Sequence, residues 1–585
     1  MASRELHDRE LYDLGEFTLD ASERRLTRDG QPIPLPPKTH DVLVTLLRNA
    51  GRLVTKRELL ELVWPESFVE EGILAVHISA LRKAFGDGER ERRIETIARL
   101  GYRFIGDVTP RDEHTKGAER WSIAVLPAVA ADASESEESL GLAIADAAIE
   151  RLGRFAKLIV RPTGAVRGYA NTREDPAAVG RRLRVDAVLA SHFVRMAGRI
   201  QVSACLVRSR DGARLWKGEF DEPAAGVTAM LDAVAEWVAA HLGLGFRGTR
   251  TNGFGNGTET RRGPARPIVR PEVYELFGRG RSHLLSASMF EAPKAVAAFR
   301  AAIELDPTYA AAHAGLALAY CAQAQFRVMP PAEAYSEAKA AALRALAMDD
   351  SCADAQVALG AVLFWSEWDW AAAERSLERA LEINPNHTEG YLLYGKLMEA
   401  LGRLEEGLAM KQKGLERDPF SPLVHLEISL AYWNQRRYDD AIEWANKTLE
   451  LDPRHPHARE HLAGAYWKMG DFDRFMAENL KHAELHGVPA EALEPLKQAY
   501  AAGGRPGVVR FVLERATSQP QAFPAVQVAL HYGEAGDPDA AFRHLERAIE
   551  SRDPALVHLA VAPQWDSLRG DPRFQECLAR MGLPA

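Results

Sequence analysis

A-L-E-I-N-P, residues 380–385, is one of four phrases that punctuate the second half of the chain at matching places. A-I-E-L-D-P ends at Pro307, G-L-E-R-D-P at Pro419 and T-L-E-L-D-P at Pro453. In each, a helical pattern runs out at Asp or Asn followed by Pro, which disfavours the helical region for the residue before it. Between the phrases, Tyr320, Phe364, Met398, Tyr432, Tyr466, Tyr500 and Tyr532 fall into step. The four steps from Phe364 to Tyr500 are 34 residues each; the first step is ten longer and the last two shorter. That period predicts stacked helix pairs, each burying an apolar face on the next. A solenoid with no catalytic cluster is a binding surface, so the output lies elsewhere in the chain.

This period and these phrases resemble tetratricopeptide repeats, expected over 272–554, with W-D-S-L-R-G-D-P-R-F at Trp565 to Phe574 forming capping helices over 555–585. In this repeat class the residue after each step position tends to face the concave groove, which gives Cys321, Trp365, Glu399, Trp433, Trp467, Ala501 and Gly533. Trp365, Trp433 and Trp467 would form an aromatic platform for a protein or peptide partner, with Asn434 and Lys468 clamping its backbone or a carboxylate. The competing reading has them fill the seam between helices. The insertion Gln325 to Glu333 lengthens the second repeat.

At 585 residues the chain is too long for one core, and three or four units are expected. A net charge of −9 argues against wholesale coating of nucleic acid or membrane, though not against one local basic surface. Cys205, Cys321, Cys352 and Cys577 are scattered without a C-x-x-C pair, which suits a reducing cytosol and speaks against a zinc site or disulfides. The opening residues carry no apolar signal region, and the best apolar stretch, Ala225 to Leu244, contains Asp232, Glu236 and His241. The expectation is a cytoplasmic protein with no membrane contact, no metal and no cofactor.

Two polar stretches divide the chain: Asp107 to Arg120, a short tether, and 245–271, a flexible linker. G-F-G-N-G at Gly253 to Gly257 lacks the flanking strand and helix of a phosphate loop. The first unit, 12–108, opens with strand-like pieces at Glu16 to Asp20, R-R-L-T and I-P-L around the Asp29-Gly30 turn. Helices are predicted over Thr39 to Asn49, Lys56 to Trp64 and Glu71 to Phe85, followed by the strands R-R-I-E-T-I and L-G-Y-R-F-I. On a helical wheel, Leu74, Ile78, Leu81 and Phe85 form the buried stripe of the third helix. Opposite lie Gly72, Val76, Ser79 and Lys83, flanked by Ile73, Ala75, Ala80 and Arg82. Small residues let a helix approach DNA, Val and Ile touch thymine methyls, and Lys or Arg reach phosphate or guanine. The bland alternative is an amphipathic helix with a few exposed hydrophobes.

W-P-E at Trp64 to Glu66, V-H-I-S-A-L-R-K-A-F at Val76 to Phe85 and G-Y-R-F at Gly101 to Phe104, in this order, resemble the OmpR/PhoB-type winged helix-turn-helix DNA-binding domain. The resemblance implies an α+β fold whose third helix enters the major groove while the hairpin wing lies along the minor groove. It implies phosphate contacts at Trp64, His77, Arg82, Thr96 and Tyr102, with Ile73, Val76, Ala80 and Lys83 at or beside base-reading positions. Members often carry Arg where Gly72, Ser79, Ala80 and Ala98 stand; here the wing arginines are Arg99 and Arg103, so sequence preference does not transfer. The unit is close to neutral overall, so tight binding calls for two copies on tandem or paired half-sites.

The middle unit, 121–244, alternates strands and helices: Ser122 to Pro127, a helix from Leu140 to Leu152, Leu158 to Arg161, a helix near Pro176 to Leu183, two strands flanking Gly198, R-L-W-K-G-E-F, and a last helix from Gly226 to Leu242. With A-V-L-P early and D-G-A-R-L-W at Asp211 to Trp216, it resembles the TolB amino-terminal-like α/β domain. His192 reads as packed on its strand and Asp146 as a solvated helix residue.

The fold class expected is therefore multidomain: a winged helix, a TolB-like α/β domain and an all-α solenoid. The order resembles one-component bacterial regulators of the CadC/HilA type, related to phosphorelay output domains. That resemblance implies a cytoplasmic transcription regulator whose partners are promoter DNA, a protein or peptide signal at the repeats, a second copy of the chain and RNA polymerase. A different class is a non-catalytic scaffold using the winged helix for protein docking. Relatives of the middle domain accompany nucleotide cyclases, but no paired-carboxylate or Gly-rich phosphate site occurs in these residues, and no enzyme is expected.

Overall fold

Alternation in the first residues puts Phe17, Leu19 and Leu26 on one buried face of an antiparallel sheet. The computed structural model describes residues 11–14, 17–20, 25–28, 31–49, 52–64, 69, 72–86, 93–98, 100–105, 109–111, 120–130, 135–196, 199–223, 227–242, 270–286, 288–519 and 523–584. They form two units, Met1–Arg120 and Trp121–Ala585.

In the first unit, β1 (Leu11–Leu14), β2 (Phe17–Asp20), β3 (Arg25–Arg28) and β4 (Gln31–Ile33) precede α1 (Pro37–Arg48), β5 (Val54–Thr55), α2 (Lys56–Val63) and α3 (Gly72–Phe85). The wing follows as β6 (Ile94–Ile97) and β7 (Gly101–Phe104), and β8 (Thr109–Arg111) closes the unit. The sheets run β4-β3-β2-β1-β8 and β5-β7-β6. Two expectations need correction. A fourth leading strand, β1, sits before the pattern that signals the sheet. The supposed tether from Asp107 also supplies β8, which pairs with β1 from Asp13↔Thr109 to Leu11↔Arg111.

Local chemistry fixes the helix ends. Thr55 caps α2 with a reciprocal box: its hydroxyl accepts from Glu58 N at 3.2 Å while its own N–H donates to Glu58 Oε2 at 2.7 Å. Gly86, with φ 70°, ends α3 in the left-handed region open to glycine. In G-Y-R-F, Gly101 pairs with Thr55, and a Cβ there would stand 2.1 Å from the Val54 carbonyl oxygen. Any side chain would push the wing off β5.

The second unit starts with β9 (Trp121–Val125), β10 (Val129–Ala130), α4 (Glu135–Gly153), β11 (Leu158–Val160), α5 (Thr163–Val166) and α6 (Pro176–Arg182). Three ten-residue strands, β12 (Ala187–Met196), β13 (Arg199–Arg208) and β14 (Arg214–Pro223), then lead to α7 (Val227–His241). The mixed sheet runs β11-β9-β12-β13-β14, with β10 alongside β12. The repeats pair α8 (Pro271–Leu285) with α9 (Ala292–Leu305), α10 (Ala310–Gln325) with α11 (Pro331–Met348), and α12 (Ala353–Val362) with α13 (Trp370–Ile383). They continue as α14 (Thr388–Ala400) with α15 (Leu404–Arg417), α16 (Pro422–Asn434) with α17 (Tyr438–Leu451), and α18 (Pro456–Met469) with α19 (Phe472–Leu485). The period then loosens: α20 (Ala490–Ser518) is broken at Gly504, and α21 (Ala525–Ala535) pairs with α22 (Pro538–Glu550) before α23 (Pro572–Met581). The long first step ends in a π turn over Leu363–Glu367, closed by Trp368 at φ 54°.

The middle domain and the repeats share one continuous core, although a flexible linker was expected between them; residues 243–269 lie outside the described residues. Gly278 of α8 lies against α4 so closely that a Cβ would meet the Ser139 carbonyl oxygen at 2.3 Å. The Asn386 amide completes the edge strand β11, accepting from Val160 N at 3.0 Å and donating to Leu158 O at 2.8 Å and Gly153 O at 3.0 Å. The Arg161 guanidinium donates to the Glu416 and Arg417 carbonyls at the end of α15, both at 2.8 Å, where a cation suits the helix dipole. Asp146, expected to be solvated, is buried: it accepts from Thr163 Oγ1 at 2.5 Å and pairs with Arg281 of α8 at 3.1 Å. Arg281 reaches Asp354 at 3.4 Å, and Asp354 meets His387 at 2.8 Å. His192, expected to be packed, is exposed on β12.

The capping segment also does more than cover the last repeat. It returns to the earlier repeats, where Trp370 Nε1 donates to Met581 O at 2.8 Å, Arg436 pairs with Asp566 at 2.6 Å and Arg327 with Asp553 at 3.0 Å.

Candidate nucleic-acid interface

The buried stripe of α3 is Leu74, Ile78, Leu81 and Phe85, packed on α1 and the sheets, and this turns the opposite face outward. Gly72, Ile73, Val76, Ser79 and Lys83 are exposed, Ala80 partly so. Val76 is 66% exposed, a large apolar surface for a helix whose partner side is already filled. Space around Gly72 is open: no atom stands within 4 Å of a Cβ placed there. Lys83 has no hydrogen-bond or ion-pair partner among the described residues.

Two polar clusters flank this face. At one side, Trp64 at the end of α2 lies 5.4 Å from the His77 ring, whose Nδ1 is in hydrogen-bond contact with Thr39 Oγ1 at 2.8 Å. Lys38 Nζ donates to Val63 O at 2.7 Å and sits 5.6 Å from the Trp64 ring centre. Burial lowers the pKa of His77 below its ordinary value, so it is mainly neutral at pH 7. Lys38 and Thr39 were missed in the sequence; K-T-H at the start of α1 gives no sign that it faces α3.

At the other end, Arg82 ties α3 to the wing, with Nη2 donating to Ile94 O and Thr96 Oγ1, both at 2.7 Å, and Nε to Ile94 O at 3.3 Å. Expected at a phosphate, Arg82 here has its guanidinium engaged with the wing. Thr96 stands opposite Tyr102, and Glu95 opposite Arg103 with an ion pair at 3.5 Å, so part of the wing charge is neutralised. Tyr102 is buried, only 6% exposed, and belongs to the core more than to the surface. Arg99 lies outside the described residues.

The family model for the C-terminal domain of transcriptional regulatory proteins matches residues 30–104. The model for the second domain of HilA/YgeH-like transcriptional regulators matches 119–236, and tetratricopeptide models match 364–427 and 426–487. Over 419 residues, 71% of this chain and 72% of the relative, the sequence is 24% identical to the transcriptional regulator HilA of Salmonella typhi. In the order of its matched domains the chain is similar to that regulator. Over 94 residues, 16% of this chain and 36% of the relative, it is 38% identical to the transcriptional regulatory protein TrcR of Mycobacterium tuberculosis. The solved DNA-binding domain of E. coli CadC is 26% identical and superposes with a TM-score of 0.17, covering 18% of this chain and 99% of that one.

In this chain the tryptophans of the repeats sit in helix seams. Trp365 packs on Phe364 at 5.3 Å with Lys396 over its ring, and Trp433 packs on Tyr438 at 5.5 Å. Trp467 lies between Phe475, at 4.6 Å, and Arg505, also at 4.6 Å, while Lys468 faces Glu534 at 3.6 Å. Asn434 cannot clamp a peptide where it stands. It is fully buried and donates to Glu399, which pairs at 2.7 Å with Lys411, itself buried. Glu399, the position after its step, looks inward, where Asn434 and Lys411 meet it. Among the described residues no helix is long and apolar enough to cross a membrane.

Proposed function

We propose that the chain is a cytoplasmic one-component transcription regulator that binds promoter DNA through α3 and the wing, acting as two copies on paired half-sites. The observation that carries this is the outward face of Ile73, Val76, Ser79 and Lys83, framed by the His77–Trp64 and Arg82–Thr96 clusters. Ile73 and Val76 would contact base edges, Lys83 a phosphate or guanine, and His77, Thr96 and Arg103 the backbone. Gly72, Ser79 and Ala80 allow close approach, and Arg99 would extend the wing contact. The HilA-like second domain and the repeats would receive a protein or peptide signal, using Trp365, Trp433, Trp467 and Lys468 at their exposed margins, and the DNA-bound form would engage RNA polymerase. The chain is read as a regulator and not as an enzyme.

The test is a mobility-shift titration of genomic promoter fragments with Val76→Glu/Lys83→Glu. Arg82 is spared because it also holds the wing. Binding should fall by at least a hundredfold with the fold unchanged, since one acidic side chain replaces an apolar contact and another reverses a cation facing phosphates. Retention of the fragments at wild-type affinity would end the proposal.

A further inference from the structure

β14 is the last strand of the mixed sheet, paired to β13 on one side, and among the described residues no strand pairs its other edge. Half of its backbone donors and acceptors therefore point outward over ten residues, an unusually long open edge. Its sequence, R-L-W-K-G-E-F-D-E-P, is self-complementary about Gly218. We propose that two copies of this chain pair β14 to β14, antiparallel, with Gly218 opposite Gly218. In that register Lys217 meets Glu219 of the second copy, Glu219 meets its Lys217, and Trp216 meets its Phe220.

The side chains are disposed for this. Lys217 and Glu219 stand on the open face, 49% and 71% exposed, paired to each other at 2.6 Å along one strand. Trp216 and Phe220 lie on the opposite face, with ring centres 6.2 Å apart and Trp216 tilted against Trp237 of α7 at 4.7 Å. Phe220 is only partly buried. Both rings lean over Gly218, where a Cβ would meet Trp216 at 2.2 Å and Phe220 at 3.1 Å. Sliding the pairing by two residues sets Lys217 against Lys217 or Glu219 against Glu219, and a one-residue slip sets Trp216 against an acidic residue. Charges on an edge commonly deter pairing; these oppose the registers one and two residues away from the symmetric one.

This inference goes beyond DNA binding and is tested without DNA. Sedimentation velocity of the full chain over a range of concentrations should show a dimer. Glu219→Lys alone and Lys217→Glu alone each turn both symmetric ion pairs into like-charge pairs, weakening the dimer roughly thirtyfold. The double variant Lys217→Glu/Glu219→Lys restores opposite charges and should return the wild-type constant. Both sites are exposed, and circular dichroism of the three variants should be unchanged. A wild-type chain that stays monomeric, a dimer indifferent to the single variants, or a double variant without rescue would each overturn the proposal, while leaving the promoter-binding reading standing.

Discussion

Arg82 and Lys83 are adjacent cations on α3, and they are expected to fail in different ways. Lys83 is exposed without a partner among the described residues, so Lys83→Ala is expected to remove a cation and little else. If it meets one phosphate per copy, the slope of log affinity against log salt falls by about 0.9 per copy, and the unit's melting temperature stays put. Arg82 is half-buried and makes three donations to the wing strand, two of them at 2.7 Å. Losing hydrogen bonds from a charged donor costs about 1.5–3 kcal/mol, and partial exposure favours the low end. In a unit of about 100 residues, about 1.5 kcal/mol lowers the melting temperature by about 6–12 °C. Calorimetry of the full chain, which follows the winged-helix transition, and salt titrations of promoter binding measure both quantities. Arg82→Lys should keep most of the charge effect and lose most of the stability. If Arg82→Ala leaves the melting temperature unchanged while lowering the salt slope as Lys83→Ala does, Arg82 is a phosphate ligand and not a tie, and the reading of the wing is wrong.

Two further outcomes follow from the second unit. Asn386→Ala strips partners from three buried backbone groups of α4 and β11, so unfolding in denaturant should show a loss of about 3 kcal/mol; a loss below about 0.5 kcal/mol would mean the junction is held elsewhere. Burial holds His461 down at about 4 and His558 at about 3, against about 6.5 when unfolded. Below that unfolded value the unfolded chain takes up protons that the folded chain refuses, so their contribution is whole above about pH 6.5 and is lost as pH falls toward about 4. Melting temperature between those limits should therefore drop steeply, less so in His461→Gln/His558→Gln, and equal slopes for the two proteins would contradict the assignment.

The repeats and the recognition helix were legible because each depends on local periodicity. The Asp/Asn-Pro stops fix where helices end, and α3 carries its whole buried stripe within fifteen residues. What escaped the sequence was set by distant partners. Asp146 reads as solvated because its neighbours in sequence are unremarkable for a surface helix; Arg281, which buries it, comes 135 residues later. Asn386 looks like a turn residue following Asn384-Pro385, and nothing nearby announces that it finishes a strand edge in another domain. Asn434 stands beside a groove position of its repeat, but the groove rule says which way a residue points, not whether Glu399 is already there to meet it. β8 was lost in a charged stretch because three residues carry no readable alternation.

The burial of Asp146 and Asn386 changes how a signal could travel. Because α8 is locked on α4 and β11 is completed from the repeats, a partner bound at the repeats acts on the same body that presents β14. The winged helix belongs to the other unit. On the proposed reading, a signal works by changing how many winged helices are held together and at what separation. That mechanism leaves a signature. Affinity for a single half-site should be unaffected by Glu219→Lys, because one winged helix still meets one site. Affinity for paired half-sites should fall with the dimer, by the loss of effective concentration, and should recover in the charge-swapped double variant. An equal fall on single and paired sites would instead place the effect inside the winged helix, and the separation of binding from assembly would have to be abandoned.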